Sequence, residues 1–504
     1  MASRQGLGWK VVHDGKTPPP GEAVAPDERL SWGRTAGLGA QHVVAMFGAT
    51  FVFPVIMGLN PNLAIMMSGV ATIAFLLIVQ NKVPSYLGTS ASFVGGAAAI
   101  YAQEGGPADV TGAILVAGLV LALVGVLVHF VGAGSVNAVL PPVVTGAVVL
   151  LIGLNLAVVA SGTGPTTTGL YWAADPWLAL ATMTIVIVTA VAFKGFLSRI
   201  AIFVGLIGGC VLAWIGDLIW TDHDYPGVNG GDPYTAKRID FGNVGPADWF
   251  GFPRQTADGL VGNQTDLGQP DLVGWHMPSI SITFALLVLP AVIALVAENI
   301  GHVKAVSEMT KRDLDPVMGR AIAADGVGTV MTSAVGGSPT TTYAENIGVM
   351  AATRVYSTAA YYIAAAFAIV LGFVPKIGEI VYAVPTAVLG GITVVLYGMI
   401  GLLGAKIWKE NRVDFADPVN LVPVGAGVTL GIGGANLQIT DDFSIQGIAL
   451  GTLVVVIGYH LARVIAARRG TGGAAIAVGQ TGVHTTEDPP SQQPGDAGAH
   501  RAPE

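Results

Sequence analysis

The stretch Gly336-Gly337-Ser338-Pro339-Thr340-Thr341-Thr342 separates two short apolar pieces, Ala321 to Val335 and Ser338 to Ala352, and decides how the rest of the chain is read. A second break, Gly88-Thr89-Ser90-Ala91-Ser92, falls in the apolar piece Tyr86 to Tyr101. Gly, Pro and consecutive Thr are poor helix formers. Backbone freed from a helix at membrane depth persists only where it is buried in protein or lines a polar cavity. Neither break reads as a continuous spanning helix.

Around these pieces run apolar segments long enough to cross a hydrocarbon core of about 30 Å, which takes roughly 17 to 25 residues. They lie near 36-58, 61-80, 109-132, 138-160, 176-194, 198-220, 279-302, 356-374, 380-404, 417-434 and 444-466. These eleven and the three broken pieces make fourteen. The longest internal hydrophilic segment, Thr221 to Trp275, divides them into seven and seven, and each half carries its broken piece third in order. Broken segments at matching positions of two halves point to a transporter with internal repeats and a midplane site. An odd number of crossings per half makes the repeats inverted.

The domain reading is therefore a cytoplasmic N-terminal tail over 1-35, a first seven-segment repeat over 36-220, an extracellular loop over 221-275, a second repeat over 276-466 and a disordered cytoplasmic tail over 467-504. With the N-terminus inside, only Lys237, Arg238, Arg254 and Lys376 of the 24 Lys and Arg fall outside, leaving 24 − 4 = 20 inside. That asymmetry is the positive-inside pattern. It predicts a multi-pass protein of the cell membrane with both termini cytoplasmic.

Composition agrees. Of 504 residues, 52% are hydrophobic and 11% charged, against roughly 25% charged in a soluble domain. The mean hydropathy is +0.64. Gly, at 69 residues, is about twice its usual share of roughly 7%, as close helix packing in lipid favours. The net charge of −8 sits in loops and tails and does not suggest nucleic acid as a partner. The single cysteine, Cys210, excludes disulfides and two-cysteine redox chemistry and reads as a small hydrophobe in a helix. Met1 to Arg34 is polar and Pro-rich, unlike a cleavable signal peptide. The sequon-like Asn263-Gln264-Thr265 is read as chance.

Ionisable groups inside apolar segments are rare enough to be functional candidates by default. Glu298 and His302 are four residues apart and share a helix face. Histidine, with an unperturbed pKa of about 6.5, suits proton exchange with a carboxylate. The alternative is a local ion pair at the cytoplasmic interface, because the pair ends its apolar run and Lys304 follows. Glu345 follows the Gly336–Thr342 break. A carboxylate beside irregular backbone can read a planar solute: backbone donors take carbonyl oxygens and the carboxylate accepts ring N–H groups. A plain first-turn role in the next helix is the rival. Asp325 has no obvious sequence partner, Asp217 and Glu379 read as interfacial, and Gln41 and His42 hold in the first half roughly the place of Glu298 and His302 in the second.

At these residues the chain resembles the nucleobase/ascorbate transporter family, and within it the bacterial uracil–proton symporters. The family signature is complete as Glu345-Asn346-Ile347-Gly348-Val349-Met350-Ala351-Ala352-Thr353-Arg354. Gly337 to Tyr343, Ala297 to His302 and Gln41-His42-Val43 are similar to further family landmarks, and the resemblance covers about residues 36 to 465. It implies an all-α polytopic membrane protein of fourteen segments in two inverted repeats. Segments 1 to 4 and 8 to 11 would form a core domain, the others a gate domain, and segments 3 and 10 would carry short strands that meet at the site. Carried onto this sequence, Glu298 and Glu345 would hold a pyrimidine ring, with the backbone around Ala344 and Ala91, beside Tyr343, meeting its carbonyl groups. His302, Glu298 and Tyr397 would serve proton coupling. Glu at the first signature position looks like the uracil branch, Gln the xanthine and uric acid branch, and Pro the ascorbate branch. The chain departs from the uracil pattern at Ala91, where an aromatic is frequent, and Ala344, where Gly is usual.

The expected function is import of uracil with protons by alternating access, with a xanthine or other base symporter as the alternative. An anion carrier of the same architecture is expected to lack the two site carboxylates. No nucleophile constellation, metal cluster or cofactor motif suggests an enzyme. The resemblance also implies a homodimer.

Overall fold

The computed structural model describes residues 8–19, 21–132, 138–161, 171–220, 223–225, 234–253, 274–440 and 443–470. Arg254, the Asn263 sequon and the tail from 471 lie outside the described residues.

The first half runs α1 (Trp32–Ile56), α2 (Pro61–Ile78), strand β1 (Leu87–Thr89), a 3-10 turn (Ala91–Phe93), α3 (Val94–Tyr101), α4 (Pro107–Val131), α5 (Pro142–Ser161), α6 (Pro176–Ala192) and α7 (Ala201–Ile219). The second runs α8 (Ile282–Val288), α9 (Pro290–Thr310), α10 (Asp315–Ser333), strand β2 (Thr340–Thr342), α11 (Ala344–Thr353), α12 (Thr358–Gly372), α13 (Pro375–Tyr382), α14 (Thr386–Glu410), α15 (Pro418–Ile432) and α16 (Gly447–Arg469). Helix starts follow local chemistry. Proline at the first position leaves unused an N–H that has no intrahelical partner anyway. Asn60 caps α2 by accepting from Leu63 N at 3.0 Å, and Asp175 caps α6 by accepting from Leu178 N at 3.1 Å.

Among the described residues, seven helical stretches are individually long and apolar enough to cross a membrane. An eighth is α12 with α13, if that pair, bent by 80°, is one span. The expected third and tenth segments are not continuous helices, and each is a strand followed by a short helix, as the resemblance implies. Two expected stretches shift. The stretch expected to end at 302 continues to Thr310, because Val303 and Val306 keep a buried stripe while Lys304 and Glu308 face outward. The stretch expected over 380–404 is the helix Thr386–Glu410, since Pro385 stands before it and α13 precedes. The N-terminal stretch is docked: Val24 N donates to Arg354 O and Tyr356 N to Val24 O, and Val24 and Leu30 are buried with Val355.

Packing crosses the two halves reciprocally. In one direction α2 lies on α12, and in the other α10 lies on α4, while α5 lies on α14. The α4–α10 contact is close because glycines face backbone: a Cβ on Gly125 would strike Ala323, and one on Gly326 would strike Ala122. Without a hydrophobic drive between helices in lipid, such approach supplies the van der Waals contact that holds them. The α15–α16 pair is another large helix contact, followed by α1 on α12, α2 on α10, α6 on α7 and α6 on α14.

Candidate functional site

Strands β1 and β2 pair antiparallel, with Leu87 opposite Thr342, Gly88 opposite Thr341 and Thr89 opposite Thr340. Each is also latched to the helix before it. Leu87 N donates to Thr72 Oγ1 of α2 at 2.9 Å, and Thr340 N donates to Thr329 Oγ1 of α10 at 3.1 Å. Ser90 N donates to Pro339 O at 2.9 Å, and Tyr343 N to Tyr86 O at 3.0 Å. Irregular backbone at this depth thereby keeps its hydrogen bonds.

Tyr343 locks the pair. Its hydroxyl donates to Thr89 O at 2.7 Å and accepts from Thr50 Oγ1 of α1 at 3.2 Å. Its ring covers Gly88, where a Cβ would collide with it. The hydroxyl is thus committed to the scaffold.

Beyond β2 begins α11 and beyond β1 the Ala91–Phe93 turn, so the two helical starts leave opposite ends of the antiparallel ladder, and Ser92 N donates to Ser90 Oγ at 3.3 Å. The strand residues are buried, yet Ala344 is exposed and Ala91, Ser92 and Glu345 are half-buried. On α9, which packs on β2, α11 and the turn, Gly301 is exposed while Glu298 and His302 are half-buried. Glu298 and Glu345 are thus near one another, and α9 bridges the helical starts that carry Ala344 and Ala91. The extension of α9 to Thr310 places Glu298 and His302 inside a helix instead of at its end, and neither makes a salt bridge among the described residues.

A polar chain runs inward from His302. His302 Nδ1 lies 2.7 Å from Thr342 Oγ1, which donates to Asn299 Oδ1 at 3.5 Å, and Asn299 Nδ2 donates to Asp325 Oδ2 at 2.7 Å. With Thr342 donating to Asn299, His302 Nδ1 is the donor to Thr342. Asp325 is fully buried, and its Oδ1 has no hydrogen-bond partner. Asp325 and Glu345 are near enough to Glu298 to act on it electrostatically. None of these three acids makes a salt bridge among the described residues.

His42 is buried and stacks on Tyr361 at 4.3 Å between ring centroids. Asn346 Nδ2 lies 3.2 Å from His42 Nδ1 and donates to His42 O at 2.9 Å, fixing α11 to α1. Gln41 is exposed. Tyr397 is buried in α14, which packs chiefly on α5, α6 and the short helix Tyr171–Ala174. Sequence reasoning left Asn299 and Thr342 without a role. A lone Asn in an apolar run was the available signal.

A helical membrane protein with two broken segments paired around a cluster of polar and acidic side chains is built as a permease. The Permease family profile, Xan_ur_permease, matches residues 33–440, and the chain belongs to that family. It is a multi-pass membrane transporter and not an enzyme. It is 41% identical over 439 residues to the putative pyrimidine permease RutG of Escherichia coli (strain K12), spanning 86% of this chain and 90% of that one. It is 37% identical over 435 residues to the uracil permease of Bacillus caldolyticus, spanning 85% and 92%. Among solved structures, the transmembrane domain of the cyanobacterial bicarbonate transporter BicA superposes with TM-score 0.52 at 16% identity, covering 84% of this chain and 96% of that one. Murine Slc26a9 in the inward-facing state superposes with TM-score 0.55 at 12% identity, covering 87% and 70%. These two likenesses concern the fold alone.

Proposed function

We propose that this permease imports uracil together with protons by alternating access. The observation that supports the reading is the contact of β2 with α9, where His302 Nδ1 lies 2.7 Å from Thr342 Oγ1 and Glu345 is near enough to Glu298 to act on it, next to the exposed Ala344. Uracil presents two ring N–H donors and two carbonyl acceptors. The carboxylates of Glu298 and Glu345 accept from the ring N–H groups, and the backbone amides starting at Ala344 and Ala91 donate to the carbonyls. The names of the relatives agree with this substrate.

Protons enter through His302, whose link to Asp325 by way of Thr342 and Asn299 passes beside Glu298. Coupling requires that protonation and substrate binding each strengthen the other. The fourteen-segment arrangement in two inverted repeats is supported by the reciprocal packing of α2 on α12 and α10 on α4, and by the matching Thr72 and Thr329 latches. In this arrangement the body holding α1 to α4 and α8 to α12 is the core and the remainder is the gate, through which two copies associate. Both termini face the cytoplasm of the cell membrane.

Uptake of radiolabelled uracil by cells lacking their own uracil carrier tests the coupling. Expression of the chain confers uptake that collapses with a protonophore; uptake that persists at full rate rejects proton coupling.

A further inference from the structure

Large exposed apolar side chains outside the helices concentrate in the segment between α7 and α8: Phe241 is 47% exposed, Trp249 77%, Phe250 74% and Phe252 43%. A soluble loop rarely displays such a group of aromatics, and a contiguous exposed apolar patch marks an interaction surface.

Both ends of this segment are anchored, which fixes its depth. At one end Arg238 Nε donates to Asp175 Oδ2 at 2.9 Å and Arg238 Nη1 to Asp217 Oδ1 at 3.3 Å. Asp175 caps the start of α6 and Asp217 lies in the last turn of α7, so the anchor sits at the rim where those helices end. The same rim carries Trp177, 80% exposed, and Trp220, 65% exposed. Tryptophans at helix ends mark the membrane–water interface.

At the other end Gly251 N donates to Phe373 O at 2.9 Å, and Phe250 stacks on Phe373 with centroids 5.5 Å apart. Lys376 Nζ donates to Val244 O at 2.7 Å and Gly245 O at 2.9 Å, and lies 5.1 Å over the Trp249 ring. Phe373 and Lys376 form the elbow where α12 turns by 80° into α13. Helix α13 mixes Lys376 and Glu379 with an exposed Ile380 and a buried Val381, the make-up of a helix lying in the interface plane.

We propose that Phe241–Phe252 is a membrane-seated strap whose Trp249 and Phe250 rings rest in the headgroup zone of the lipid leaflet on that face, holding the α12–α13 elbow at that depth. The occupant is a lipid surface because the aromatics share a rim with the helix-end tryptophans and because a cation, Lys376, sits among them, as interfacial belts require. This inference is independent of the transported solute.

Depth-dependent quenching tests it on the full chain. Trp249→Cys, in a Cys210→Ala background, is labelled with an environment-sensitive dye and reconstituted in phosphatidylcholine–phosphatidylglycerol vesicles; Phe241→Cys serves as a second variant. A spin label near the headgroup quenches the dye about twofold more than one deep in the acyl chain, as for groups lying 5–10 Å into the boundary, and aqueous iodide quenches it weakly. Iodide quenching as full as for free dye places the segment in water and overturns the proposal. So does insensitivity to all three quenchers, which means a protein cover, or equal quenching by the deep label.

Discussion

His302 Nδ1 and Thr342 Oγ1 lie 2.7 Å apart, joining the α9 face to the strand that precedes Glu345. The hydroxyl also reaches Asn299, so one small side chain connects His302 to the buried acid Asp325. Thr342→Val keeps the β-branched shape and removes that connection. Uracil uptake falls roughly two- to tenfold, the worth of one net hydrogen bond of about 0.5–1.5 kcal/mol, and the pH profile of uptake changes form. A thermal melt close to wild type separates this outcome from misfolding.

Asp325 is held by Asn299 on one oxygen only. Asp325→Asn retains an acceptor for Asn299 and the side-chain volume but removes a proton-binding carboxyl. Exchange of labelled for unlabelled uracil across the membrane persists, while accumulation driven by a proton gradient is lost. Measuring both fluxes on one preparation of proteoliposomes checks the split. Equal loss of both assigns Asp325 to substrate binding instead of to coupling.

Gly88 has no room for a side chain beneath the Tyr343 ring, beside Thr50. Gly88→Ala forces the ring away from Thr89 O and destabilises the protein by about 1–3 kcal/mol through overpacking. Adding Tyr343→Ala restores space, so the double variant is less destabilised than the two single effects summed. Denaturation midpoints of the four proteins in detergent measure the coupling.

Gly326 meets the backbone of Ala122 across the α4–α10 contact. Gly326→Val separates those helices and lowers the melting temperature, whereas Gly398→Ala, with open space at its Cβ position, leaves it nearly unchanged. A comparison of the two melts isolates the close approach from helix propensity.

The breaks at Gly88–Ser92 and Gly336–Thr342 were legible in the sequence because Gly, Pro and Thr oppose a helix in an apolar setting, and each is now a strand and a short helix. Glu298 and His302 were legible because a spacing of four is a helix-face rule. The pairing of strands whose locking residues, Thr89 and Tyr343, stand 254 apart could not be read from either stretch, since register depends on tertiary closure. The end of α9 was placed too early because hydropathy averages over a turn, whereas Val303 and Val306 need only one buried stripe. Asn299 was passed over since its role depends on a rotamer that reaches Asp325 on another helix.

Glu345 and Glu298 are assigned to the ring N–H groups, and a hydrogen bond to a charged group is worth about 1.5–3 kcal/mol. Each Glu→Gln change therefore weakens uracil binding roughly 10- to 150-fold. The most direct measurement is radiolabelled uracil uptake by proteoliposomes holding the purified chain under an inward proton gradient, beside the Glu345→Gln variant. The account predicts accumulation above the external concentration by the wild type, abolished by the substitution and blocked by unlabelled uracil. Absence of uracil accumulation by the wild type, or equal accumulation by Glu345→Gln, contradicts it.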